Sequence, residues 1–131
     1  MGARPYQYVV DYDEDPQSAL DRLRDDVFRK GSYRRASRPA ASPDEVLARS
    51  DAYGTRSILD IVRIAPRPAP CAAAPLSVEE LVRFFGTTLP TLSAAEASDA
   101  FWEAIGRGQA RYLAVLVGQD KRLLFAGYSF D

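Results

Sequence analysis

The pattern Ser-x-x-Glu occurs three times, at Ser42–Glu45, Ser77–Glu80 and Ser93–Glu96, each at the head of a partly apolar run. In such a capping box the serine hydroxyl accepts from the backbone N–H three residues on, and the glutamate reaches back to the serine N–H. A fourth start, Asp15-Pro16, offers a carboxylate cap with proline at the first helical position. Helices are therefore expected over about 16–30, 43–53, 78–85 and 94–105, closing at Gly31, Gly54, Gly86 and Gly106 or Gly108. The first carries an apolar stripe of Leu20, Leu23 and Val27, with Asp25–Arg29 and Asp26–Lys30 as i,i+4 pairs. Leu76 precedes the third and is placed to staple onto Leu81. The fourth would bury Ala97, Phe101 and Ile105, with Trp102 at the core or its edge.

Strand patterns fill the gaps. Tyr6, Tyr8, Val10 and Tyr12 alternate onto one face of a first strand. Residues 57–64 are apolar on both faces and read as a central strand. Residues 112–117 and 122–128 read as a hairpin turning at Gly118-Gln119-Asp120. The order β-α-α-β-α-α-β-β predicts an α+β fold: about four strands, mostly antiparallel, with helices packed on one face. At 131 residues the chain is expected to be a single domain over 1–131. Its Pro/Ala-rich stretches near 34–42 and 66–75 read as loops, the second stiffened by four prolines.

Composition narrows the setting. A net charge of -1 gives no global attraction for polyanions or acidic membranes. The lone cysteine, Cys71, excludes an intramolecular disulfide and fits a reducing compartment. The N-terminus has no apolar signal-peptide core, and no apolar run is long enough to span a bilayer. A cytoplasmic protein is expected, and fifteen arginines against two lysines point to a GC-rich bacterial genome.

Chemistry is sparse. The chain has no histidine, so the usual neutral-pH base and the commonest metal ligand are missing. No phosphate-binding glycine loop is present, and neither a cofactor nor a metal is expected. Asp11, Asp13, Glu14 and Asp15 form an acidic run, but without the glycine-centred loop that calcium needs; capping accounts for Asp15. Three groupings remain as candidate sites. Arg29, Lys30, Tyr33, Arg34, Arg35 and Arg38 form a basic segment with an embedded ring, suited to phosphates and a stacked base, or equally to a solvated helix end. Tyr6, Tyr8 and Tyr12 line either the core or an aromatic docking face. Asp60 sits amid apolar residues and needs a partner, which Arg56 or an arginine of another element could supply; the pair would be structural or the floor of a polar pocket.

Gly54-Thr55-Arg56-Ser57-Ile58-Leu59-Asp60-Ile61, Gly86-Thr87-Thr88 and Phe125-Ala126-Gly127-Tyr128-Ser129-Phe130-Asp131 resemble segments of a family of small uncharacterised bacterial proteins. The resemblance implies no activity and supplies no catalytic residues. The leading expectation is a non-enzymatic module that binds a protein partner, immunity-type or regulatory in role, with homo-oligomerisation open. The alternatives are nucleic-acid binding through 29–38, and a small-ligand binder or enzyme with a pocket near Asp60.

Overall fold

A computed structural model describes residues 4–33, 40–48 and 54–130. In chain order they form β1 (Pro5–Asp11), α1 (Pro16–Lys30), α2 (Pro43–Ala48), a 3-10 turn (Ile58–Asp60), β2 (Arg63–Ile64), β3 (Ala72–Pro75), α3 (Val78–Phe85), α4 (Leu92–Ala97), α5 (Asp99–Glu103), β4 (Ala110–Val117) and β5 (Asp120–Tyr128). The fold is α+β. Its sheet has five strands in the order β1-β5-β4-β3-β2, antiparallel across β1, β5 and β4 and parallel across β4, β3 and β2. The sheet is thus mixed, with one strand more than the sequence pattern suggested.

Helices cover both faces, which corrects the expectation of one. Tyr112 lies opposite Phe125, and Leu113 opposite Leu124. Alternation along a strand sends these two pairs to opposite faces. Phe125 packs with α1, Val46 of α2 and the 3-10 turn residues Ile58 and Leu59. Leu113, Val115 and Leu124 pack with Leu76, Ala95, Phe101 and Ile105 from the segment that joins β3 to β4. That segment must cross over because β3 and β4 are parallel neighbours, so it lays α3, α4 and α5 on the second face.

Capping explains the helix starts. Ser77 and Glu80 make the complete reciprocal box, at 3.1 and 2.9 Å. Asp15 accepts from Gln17 N–H, and α1 ends at left-handed Gly31. Ser42 accepts from Glu45 N–H at 3.3 Å, while the Glu45 carboxylate takes Ala41 N–H at 2.6 Å. The third box does not form. Thr91 caps α4 instead, and Ser98 caps a separate α5, so the expected helix over 94–105 is two short ones. Residues 49–53 of the expected second helix lie outside the described residues.

Two strands differ from their sequence pattern. Residues 57–64 make a 3-10 turn and a two-residue edge strand, not a central strand. Ser57 Oγ accepts from Leu59 N–H and turns the chain there. An interior position, between β4 and β2, goes to Ala72–Pro75, within the stretch expected to be a stiff loop. Ala72, Ala73 and Ala74 are fully buried, so small side chains suit a strand held between two helical layers. On β1, the Tyr6 ring lies over Gly127, its register partner; a Cβ there would sit 2.5 Å from the Tyr6 hydroxyl oxygen.

Arg111 locks the second layer to the sheet. It is buried, and it donates to Ala74 O, Pro75 O and both carboxylate oxygens of Glu80. The Arg111 hydrogen bond and charge hold the Glu80 carboxyl below its usual pKa. Glu80 therefore contributes stability in full above the ordinary glutamate value of about 4.3 and loses it as pH falls through its lowered folded value. Glu80→Gln should cost about 2 kcal/mol in a urea melt at pH 7, because a buried cation loses its counter-charge. The variant should also show a shallower loss of stability below pH 4 than the wild type.

Candidate functional site

The loop before the 3-10 turn builds a polar nest. Asp60 has no solvent exposure. Its Oδ1 accepts from Thr55 N–H at 2.6 Å and from Thr55 Oγ1 at 2.7 Å, and Thr55 Oγ1 lies 2.9 Å from Ser57 Oγ. Its Oδ2 is buried without a hydrogen-bond partner among the described residues. Burial raises the Asp60 pKa, and the two Thr55 hydrogen bonds oppose that rise without cancelling it. The expected Arg56 partner is not what holds the carboxylate; Thr55 does. Arg56 and Cys71, both non-glycine residues at positive φ, are strained positions in the neighbouring chain.

Several groups feel this carboxylate. Burial, then the Asp60 charge, raises the pKa of Tyr6 and of the Cys71 thiol. A thiol pushed upward stays protonated near neutral pH and is a poor nucleophile. Phe130 packs against Gly54 and Gly108. The two segments singled out in the sequence, 54–61 and 125–131, therefore meet at Gly54, Asp60 and Phe130. The arrangement supports a structural role: a carboxylate that organises a loop and does not reach solvent.

The tyrosines do not form a shared outer face. Tyr6 and Tyr8 pack into the core beneath α1, their rings 5.8 Å apart. Tyr12 lies beyond β1, 39% exposed, with Lys121 Nζ 4.1 Å from its ring centroid. Of the basic segment, Arg29 and Lys30 reach Asp26 at 3.8 and 3.0 Å, and Tyr33 stacks on Phe28. Arg34, Arg35 and Arg38 lie outside the described residues. The acidic run is dispersed: Asp11 pairs with Arg122, Asp13 with Arg22, and Asp15 caps α1. Among the described residues no group of three His, Cys, Asp or Glu is placed to hold a metal. No helix among them is long and apolar enough to cross a membrane.

The free edge of β1 was not anticipated as a site. Pairing runs unbroken from Pro5↔Tyr128 to Asp11↔Arg122, with no bulge. Ser129 N–H donates to Arg4 O, and Tyr128 bonds to Gln109 and Gly108 on the β4 side. The alternation of an antiparallel ladder then turns the main-chain groups of Tyr6, Tyr8 and Val10 toward β5. It turns those of Gln7, Val9 and Asp11 outward. Among the described residues nothing bonds to these outward groups.

Clefts flank this edge on both faces. On the α1 side a groove of about 180 Å³ runs between Val10 and Asp11 of β1 and Ala19, Leu23 and Asp26 of α1. On the other side a cleft of about 430 Å³ is lined by Pro5, Tyr6, Gln7, Glu96, Asp99, Trp102 and Tyr128. Trp102 and Tyr128 meet edge to face at 5.9 Å, and Gln7 Nε2 donates to Glu96 at 2.5 Å. Trp102 is half-buried at the edge of the second core cluster, as its sequence position suggests, and also lines this cleft. The sequence signal for this site is the second face of the tyrosine strand, where Gln7, Val9 and Asp11 alternate with the rings.

No protein-family model matches the chain, and no curated protein or solved structure matches it either.

The Asp60 nest makes its own prediction. Asp60→Ala leaves the Thr55 N–H buried without an acceptor and its hydroxyl with Ser57 alone, and should cost about 3 kcal/mol in a urea melt. Asp60→Asn keeps an acceptor and removes the buried charge, so it should lie within about 1 kcal/mol of wild type at pH 7. The sign follows from the raised pKa: ionised Asp60 penalises the fold above its folded pKa. That penalty fades as pH falls toward the ordinary aspartate value of about 3.9.

Proposed function

We propose that this chain is a non-enzymatic interaction module that takes up a protein partner as an added strand on the free edge of β1. One observation carries the reading: Gln7, Val9 and Asp11 present outward N–H and C=O groups without hydrogen-bond partners among the described residues. In strand addition these groups supply affinity, and pockets beside the strand supply specificity. Natural sheets blunt an open edge with charged side chains, proline or a bulge. Here Pro5 and Asp11, at the two ends, do so; the stretch from Tyr6 to Val10 carries none of these devices.

Catalysis has less support. The carboxylate whose pKa burial raises, Asp60, is sealed in the fold. The thiol of Cys71 is held protonated. The nucleic-acid reading rests on arginines outside the described residues, while Arg29 and Lys30 already have Asp26 as a counter-charge. A bacterial cytoplasmic setting, with a regulatory or immunity-type role, accords with the arginine-rich composition and lone cysteine.

Val9→Pro tests the docking mode. The Val9 N–H points away from β5, so proline there removes no ladder bond, yet it blocks an incoming strand. The variant should melt within a few degrees of the wild type. Selection of phage-displayed random dodecapeptides should enrich binders on the wild type and none on the variant. Equal enrichment on both proteins would refute edge docking.

A further inference from the structure

We propose that the cleft beside β1 selects a lysine or arginine side chain of the docked strand, so that the partner segment is extended and basic. The inference rests on the edge-docking reading above and adds the chemistry of the occupant.

The first support is position. A strand added to β1 lies about 4.8 Å from it, and its side chains alternate in step with those of β1. Gln7 turns its main-chain groups to the free edge and its side chain to Glu96. The residue that pairs with Gln7 therefore sends its side chain to the same face, beside Glu96 and into the cleft.

The second support is charge. Glu96 and Asp99 are both exposed, and among the described residues lining this cleft they are the only carboxylates, with no lysine or arginine beside them. Neither has an ion-pair partner among the described residues, in contrast to Asp11, Asp13 and Asp26. Glu96 is satisfied only by the neutral Gln7 amide.

The third support is the wall. Trp102 and Tyr128 stand at right angles, so one ring offers its face where the other offers its edge. A cation gains from an aromatic face, most of all from tryptophan, and its methylene stem gains from the apolar surface. A purely acidic patch would hold any cation loosely. Carboxylates with a tryptophan wall, placed in register with an open backbone edge, favour a long cationic side chain fixed to a peptide.

A second copy of this chain fits less well. The β1 segment Pro5–Asp11 contains no lysine or arginine, so self-pairing of two β1 edges would place no cation from β1 opposite Gln7. In the antiparallel register centred on Val9 it would instead set Asp11 of each copy opposite Gln7 of the other, beside Glu96.

The probes are the dodecapeptides selected on the wild-type protein, made synthetically and titrated by fluorescence polarisation. Winners should share a Lys or Arg at one fixed position. Replacing that residue with norleucine should weaken binding about tenfold, as should Glu96→Gln with Asp99→Asn in the protein. Both changes should flatten the salt dependence. Winners without a shared basic residue, or affinities unmoved by the double variant while Val9→Pro still abolishes binding, would overturn the basic preference and leave edge docking standing. Binding that survives Val9→Pro, or no winners at all, would overturn edge docking and this inference with it. A wild-type dimer that Val9→Pro converts to monomer would assign the edge to a second copy and overturn the basic partner.

Discussion

The Arg111 guanidinium is buried under α3, at the point where the ladder between β3 and β4 runs out. Strand β3 ends at Pro75, and the Ala74 and Pro75 carbonyls turn toward Arg111. The remaining donors meet Glu80, which is also the third residue of α3 and half of its capping box. One side chain thus satisfies the strand end, neutralises the helix-start carboxylate and fixes the angle at which α3 leaves the sheet. A buried cation of this kind is tolerated only with its partners in place, so the crossover from β3 to β4 has a single well-defined geometry. Farther along the crossover, Leu116 N–H of β4 donates to Pro90 O and seats the start of α4, which carries Glu96.

The opposite face has its own buried arginine. Arg24 of α1 donates to Asp44 of α2 and to Leu59 O in the 3-10 turn. The Asp60 nest then orders the loop at Thr55 and Ser57. Each helical layer is therefore registered on the sheet by a polar anchor within an apolar contact. Between these layers the sheet divides its labour. Its parallel half is short, with a buried alanine strand β3 and a two-residue edge β2, whereas its antiparallel half is long and ends in the open edge of β1. Proposing β1 as the docking element follows from that asymmetry.

Legibility from sequence varied with the range of the forces involved. Helices α1 and α3 matched their expected bounds because their caps are local: Asp15, Gly31, Ser77, Glu80 and Gly86 act within a turn or two of themselves. The hairpin of β4 and β5 was legible for the same reason, with Val117 and Asp120 closing a two-residue turn. The box at Ser93 failed because Thr91 lies two residues earlier, and its neighbour Pro90 accepts from Leu116 N–H on β4. A tertiary contact chose between two adequate caps. Strand β3 was illegible because three alanines between prolines carry no strand propensity, and only burial between two layers makes them one. The candidate site was partly legible: alternation marks the tyrosine strand, but its rings give the stronger signal and mask the outward face of Gln7, Val9 and Asp11.

What the sequence alone determined is the set of locally encoded pieces: where helices start and stop, which strands pair through a tight turn, and the lack of histidine chemistry. These depend on hydrogen bonds and torsions among residues close along the chain. Tertiary structure decided which faces are covered, which strand lies at the centre, where Asp60 is sealed, and which edge is left open beside an acidic, aromatic cleft. Those outcomes depend on contacts such as Gln7 with Glu96 and Arg111 with Glu80, whose partners lie far apart in sequence and are matched only when the layers close.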